Sequence, residues 1–264
     1  MSDSDAYAAR SDVGRVRSGN EDRALAHPPL FAVADGMGGH RAGEVASELA
    51  LSHLAATVGG EAAGGDVIAR ALRESNEAIR REARQRPALV GMGTTCTAAV
   101  IGVDIRIAHV GDSRAYLLRN GVLRQLTEDH SLVARMVGEG LIEPDSAEAK
   151  RVRHVITRAL GADDDVKVDV VAVDRAEGDQ LLLCTDGLHG QIDDTTIERA
   201  LMEAPDPGTA AELLIALAND AGGDDNVTVI VINVDRLMAS AMAPHPESGL
   251  WLHLPAWLRR DSGQ

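Results

Sequence analysis

The stretch TCTAAVIGVDIRIAHVGDSRAYLLRNGVLRQL, Thr95 to Leu126, decides the fold. Four apolar runs follow one another in it: Thr95 to Val103, Ile105 to Val110, Ala115 to Leu118 and Val122 to Leu126. Asn120-Gly121 divides the last two, and Asn-Gly between such runs is a strong hairpin signal. The links are too short for the crossover helices that parallel strands need, so this sheet is expected to be antiparallel.

Outward from that stretch the periodicity changes. Leu30 to Ala34 reads as a buried strand. Arg41 to Val58 reads as a helix with Val45, Ala46, Leu49, Ala50 and Leu54 on one face. The break GGEAAGG, Gly59 to Gly65, precedes a second helix with Asp66 as its N-cap; that helix ends near Pro87. Downstream, Leu132 to Glu139 reads as a short helix and Leu141 to Arg153 as a polar, mobile excursion. Val166 to Val173, Leu181 to Thr185 and Val227 to Val234 read as strands, with helices Thr195 to Glu203 and Thr209 to Asp220 between the last two. Strand meanders with inserted helix pairs predict packed sheets with helices outside them, an α+β class. Residues 1–238 are expected to form one domain. Residues 239–264 carry both tryptophans, three prolines and an Arg pair, and read as a tail that docks, on its own domain first of all, or stays flexible.

The 264 residues hold 26 basic and 41 acidic side chains, a net charge of -15. That balance argues against general nucleic-acid binding and against a polybasic membrane surface. No apolar stretch is long enough for a transmembrane helix, and MSDSDAYAAR has no signal-peptide pattern. Cys96 and Cys184 sit in apolar runs without a CxxC, as reduced core cysteines of a cytoplasmic protein would.

The acids that follow strands form the second pattern. Asp35 follows FAVA, Asp112 follows IRIAHVG, Asp186 follows DQLLLCT, and Asp224-Asp225 precede NVTVIVINV. Each lies beside glycine, and Glu21-Asp22 sit in the turn-like RSGNED. One acid at a strand end is an ordinary turn residue. Several converging would repel: two carboxylates about 4 Å apart cost roughly 4 kcal/mol at an effective dielectric near 20. Hard oxygen donors without His or Cys favour Mg²⁺ or Mn²⁺. In this reading Asp35 is a ligand and Gly36 offers its carbonyl. A phosphate cradle in DGMGGH fails, because GxGxxG requires glycine where Arg41 stands. Neither Lys150 nor Lys167 follows glycine, so there is no Walker loop. GDSRA approaches a nucleophile elbow at Ser113, but AYLLRNGVLRQL continues as a hairpin and not as the helix an elbow opens into.

The ordered set RSGNED, DGMGGH, GTT, GDSRAY, LTEDHS, ITRALG, CTDGL and DDNVTVIVI closely resembles the metal-dependent protein phosphatases of the type 2C (PPM) family, and its bacterial branch most. The motifs run from Gly14 to Val234. The resemblance implies two packed antiparallel β-sheets flanked by pairs of α-helices, an αββα sandwich. It implies two Mn²⁺ or Mg²⁺ ions and a weaker third. Carried over by position, Asp35 bridges the two ions, Asp186 and Asp225 complete one site, and Glu21 with the Gly36 carbonyl completes the other. Asp22 holds waters, Arg17 binds the substrate phosphate, and Asp112 matches the acid of the third ion.

Two departures stand out: Gly190 where relatives often carry an acid or amide for the third ion, and Met37 where the animal enzymes carry a proposed general-acid histidine. Thr94, Thr95 and His130 are expected to support loops, and Arg158 to face either the cleft or the body of the domain. Leu141 to Arg153 matches the family's flap, which is expected to contact substrate. The resemblance implies a monomeric Ser/Thr phosphatase acting on phosphorylated proteins and opposing a Ser/Thr kinase and its targets. A regulatory module without chemistry and a small-phosphoester phosphatase are the rival readings.

Overall fold

Asn120 and Gly121 both take positive φ, 54° and 76°. They form the two-residue turn that matches strand twist, and they set Val122 opposite Arg119 and Leu123 opposite Leu118. The computed structural model describes residues 3–38, 41–58, 64–144 and 146–242. Its strands in chain order are β1 (Asp3–Ser4), β2 (Tyr7–Asp12), β3 (Arg23–His27), β4 (Leu30–Ala34), β5 (Gly36–Met37), β6 (Gly93–Thr94), β7 (Cys96–Ile101), β8 (Asp104–Val110), β9 (Arg114–Arg119), β10 (Val122–Gln125), β11 (Asp169–Asp174), β12 (Gln180–Cys184) and β13 (Val227–Asn233). The helices are α1 (Arg41–Thr57), α2 (Gly65–Gln85), α3 (Leu132–Gly138), α4 (Ala147–Val152), α5 (Asp186–His189), α6 (Asp194–Glu203), α7 (Pro207–Asp220) and α8 (Val234–Met242).

Two large sheets form, ordered β1-β2-β13-β12-β9-β10 and β11-β8-β7-β4-β3, with a small ladder between β5 and β6. Every named pairing is antiparallel. Alternation along single strands assigns the layers. In β4, Leu30, Ala32 and Ala34 face α1 and α2, while Phe31 and Val33 face the other sheet. In β12, Leu181 and Leu183 face the inter-sheet core, while Leu182 and Cys184 face α6 and α7. Three cores therefore alternate with four layers, helix pair, sheet, sheet, helix pair, which is the expected αββα sandwich. Both sheets are covered on both faces, so β7 and β12 read as mostly apolar runs, broken in β7 only by the buried Thr97 and opened in β12 by Gln180.

Several boundaries differ from the sequence reading. Gly64, extended, is the N-cap of α2, and Asp66 lies inside the first turn. There its charge favours the helix dipole without a capping bond. Strands β2 and β3 escaped periodicity. In β2 only Ala8 and Ala9 are buried, and β3 is a half-exposed edge strand rich in alanine, a helix former. The excursion at Leu141 to Arg153 contains α4, capped by Ser146 Oγ accepting from the Ala149 amide at 3.1 Å and anchored by buried Ala149. The final strand stops at Asn233, and α8 carries the chain past position 238 to Met242. The rest of the expected tail lies outside the described residues.

The inter-sheet core is filled by small aliphatic side chains, with Phe31 fully buried and edge-on to Tyr7 at 5.2 Å between ring centroids. Phe31→Ala is expected to lower unfolding free energy by about 3–5 kcal/mol in urea titration. A loss under about 1 kcal/mol would show that this core collapses around the gap.

Candidate metal centre

Strand register brings the acids to one edge. Arg23 pairs with Ala34, so Asp22 and Asp35 leave β3 and β4 side by side. Cys184 pairs with Arg114 on one side and Val229 on the other, so Asp186, Asp112 and Asp225 emerge from neighbouring strands of the facing sheet. Asp35 lies among them: Asp22, Asp186, Asp112 and Asp225 all repel its charge. Burial first, and then those neighbours, push its carboxyl well above the usual range, and it hydrogen-bonds Asp186.

Asp22 and Asp112 are almost fully enclosed, 2% and 4% exposed. Burial, against bonds from Thr185 and Thr228, pushes Asp22 up to about 8. Burial and the nearby Asp186 and Asp129 push Asp112 up to about 8, although Arg114 pulls the other way. Asp186 is raised by burial and by Asp225. Asp22 Oδ1, Asp112 Oδ1 and Asp186 Oδ1 are buried oxygens with no hydrogen-bond partner. Buried acceptors without partners are costly, so such a set fits cations or ordered water.

Fixed backbone holds these acids in place. The Asp35 amide donates to Thr95 Oγ1 at 3.0 Å, and Thr94 Oγ1 donates to the Asp35 carbonyl at 2.8 Å. The Glu21 amide donates to Asn226 Oδ1 at 2.9 Å, and Ser47 Oγ donates to the Glu21 carbonyl at 2.6 Å. Gly36 needs to be glycine for packing: a Cβ there would lie 2.1 Å from the Gly43 carbonyl oxygen in α1. A Cβ on Gly43 would lie 2.0 Å from Glu21 Oε2. This close contact seats the Glu21 carboxylate on the first turn of α1, where the helix dipole favours it.

Thr185 Oγ1 donates to Asp22 Oδ2 at 2.8 Å while accepting from the Thr228 amide at 3.0 Å. His189 Nε2 donates to the Asp112 carbonyl at 3.0 Å. Sequence reasoning assigned no role to Thr185, His189, Asn226, Ser47 or Gly43. Thr185 and Asn226 stand inside the quoted motifs CTDGL and DDNVTVIVI, so adjacency to the acids was the available signal.

Arg17 Nη2 donates to Asp225 Oδ2 at 2.6 Å from an exposed position. Among the described residues no three Asp, Glu, His or Cys side chains stand gathered as a ligand shell. Arg17 holds Asp225 by a charged hydrogen bond, which offsets part of the repulsion at this edge. The donor chemistry, all oxygen and partly orphaned, still fits a hard divalent ion.

A cleft of about 480 Å³ opens over this edge, lined by the strand-end residues Arg17, Asp112, Asp186 and Asp225 and by Pro144, Lys150, Arg153 and His154 of the flap. The flap segment therefore does border the cleft. Arg158 does not: it pairs with Asp169 at 3.1 Å and contacts His130. His130 supports the Asp112 loop, taking a bond from the Gly111 amide at 3.0 Å and returning one to the Gly111 carbonyl at 2.7 Å. Ser113 is fully buried, its hydroxyl 2.6 Å from Thr95 Oγ1, and β9 follows it. It has neither access nor a base, so no serine nucleophile exists here.

Comparison with known proteins agrees with this arrangement. Residues 13–227 match the protein phosphatase 2C family. The serine/threonine protein phosphatase PstP of Mycobacterium tuberculosis is 45% identical over 232 residues, which is 86% of this chain and 45% of that protein. The chain thus spans about half of that relative's length. The serine/threonine phosphatase stp of Listeria monocytogenes is 40% identical over 238 residues, 86% of this chain and 94% of that protein. The catalytic domain of PstP, solved in complex with two manganese ions, superposes with a TM-score of 0.79 at 44% identity, covering 86% of this chain and 96% of that one. By family match, sequence identity and shared fold, the chain belongs to the protein phosphatase 2C family.

Proposed function

We propose that this chain hydrolyses phosphoserine and phosphothreonine on proteins as a metal-dependent phosphatase. The observation that carries the proposal is the Asp35 carboxyl, set among four other carboxylates under an open cleft with an arginine at its rim. Asp35 would be shared between two Mn²⁺ or Mg²⁺ ions, Asp186 and Asp225 would serve one, and Glu21 with the Gly36 carbonyl the other. Asp112 would serve a weaker third without help from Gly190. The PstP catalytic domain in complex with two manganese ions supports the choice and the number. Bound there, such ions supply an activated water as nucleophile and offset phosphoryl charge.

The chain's own residues do the rest. The Arg17 fork suits two phosphate oxygens, and on binding it exchanges Asp225 for substrate. Asp22, held by Thr185, keeps one oxygen free to order water. Met37 carries no proton, so the leaving oxygen takes one from solvent. No helix among the described residues is long and apolar enough to cross a membrane. A monomeric cytoplasmic enzyme that resets the targets of a Ser/Thr kinase completes the reading.

Asp35→Asn is expected to drop Mn²⁺-stimulated hydrolysis of a phosphothreonine peptide to the rate left by excess chelator. It removes a carboxyl whose ionisation burial and its neighbours oppose, so the Tm without metal stays level or rises, while the Tm gain on adding Mn²⁺ disappears. Wild-type rates in this variant would remove Asp35 from the centre.

Arg17→Ala is expected to lower kcat/KM for the peptide by roughly 10–100-fold, the worth of a charged hydrogen bond. Unchanged kinetics would assign the phosphate to another cation.

Asp22 and Asp112 titrate near 8 in the metal-free protein against 3.8 unfolded. Their stabilising contribution is therefore full below about pH 4 and is lost as pH rises through about 8. Cations compete with the same protons. Mn²⁺ affinity, read by thermal shift, is expected to tighten between about pH 6 and about pH 8 while the metal-free Tm falls. A flat profile would show that neither acid feels the ion.

A further inference from the structure

The flap wall of the cleft is positive in a chain whose net charge is -15. Lys150 and Arg153 are exposed, and both line the same cleft as Asp112, Asp186 and Asp225. The other arginines of the cleft are engaged: Arg114 makes a two-pronged bond to Asp129, and Arg17 holds Asp225. Among the described residues the Lys150 ammonium has no hydrogen-bond or ion-pair partner, and the Arg153 guanidinium bonds only to His154 Nε2, at 3.1 Å. Glu148, on the same helix, does not line the cleft. The placement is fixed by packing: Ala149 is buried and the Ser146 cap sets the helix start, so Lys150 and Arg153 project from one anchored turn.

Two unpaired cations sharing an aqueous cleft with a floor of carboxylates have a clear electrostatic meaning. A substrate segment lying in the cleft puts its phosphate over the floor, and its neighbouring residue meets the wall. A negative neighbour is repelled by the molecule at large but attracted there; a positive neighbour meets the opposite field. We propose that Lys150 and Arg153 select phosphorylated segments that carry a second anionic group, a carboxylate or another phosphate, beside the phosphoresidue. This selection rests on the phosphatase reading and names its substrate class.

The test uses the full chain with Mn²⁺ and four phosphothreonine peptides identical except for neighbours that are Gln, Lys, Glu or phosphoserine. Hydrolysis is read as kcat/KM and binding as fluorescence anisotropy. At low salt the Glu and phosphoserine peptides are expected to exceed the Lys peptide by about three- to tenfold, the scale of two exposed ion pairs. The margin narrows as salt rises. In the K150E/R153E double variant the order inverts. Preference for phosphoserine alone would assign the wall to a second phosphate; equal preference for Glu would assign it to charge of either source. An identical peptide ranking in wild type and double variant overturns the proposal while leaving phosphatase activity standing. Binding that ranks and inverts as expected without any hydrolysis sustains the charge selection and removes the phosphatase reading beneath it.

Discussion

Mutual repulsion among carboxylates at one sheet edge is the constraint on which this molecule depends. Asp22, Asp35, Asp112, Asp186 and Asp225 are carried there by five different segments, and each raises the cost of ionising another. Such an edge persists only because the sandwich beneath it is rigid. Buried backbone and threonine hydroxyls hold the chain where free side chains would separate. The same repulsion stores a demand for positive charge. Protons, Arg17 and divalent ions are competing answers to that demand, and their competition ties stability, pH and chemistry together.

The layers beneath follow from alternation. Strands β4, β7 and β8 send odd and even residues into different cores, and β9, β12 and β13 do the same in the facing sheet. Small residues at Ala98 and Ala108 allow close approach of sheet and helix, and Ala99 allows close approach of the two sheets. Loops are then free to gather at the strand ends, where the acids and the flap meet across a cleft. The glycines at 36 and 43 belong to this close packing, since side chains there would meet backbone or the Glu21 carboxylate.

Much of this was legible in the sequence. The Asn120-Gly121 hairpin, the buried strands and the main helices were marked by turn chemistry and by periods of two and of about 3.6 residues. The strands that escaped, β2 and β3, bury too few of their side chains to show a period. Helix α4 was hidden because a six-residue helix with one buried alanine has no readable face. The α2 cap was misplaced because aspartate satisfies a helix start equally from the cap and from the first turn.

The fold class and the acids that stand at strand ends could be read from the chain alone, because both are local properties of pattern and residue type. Tertiary structure decided what those residues meet. Only strand register could put Asp22 beside Asp35 and Asp112 beside Asp186, bury Ser113 beyond reach, turn Arg158 away from the cleft, and leave Lys150 and Arg153 unpaired in the same cleft as the acids. Contacts between residues tens or hundreds of positions apart depend on how sheets stack, and stacking is a property of the whole chain that no single stretch encodes.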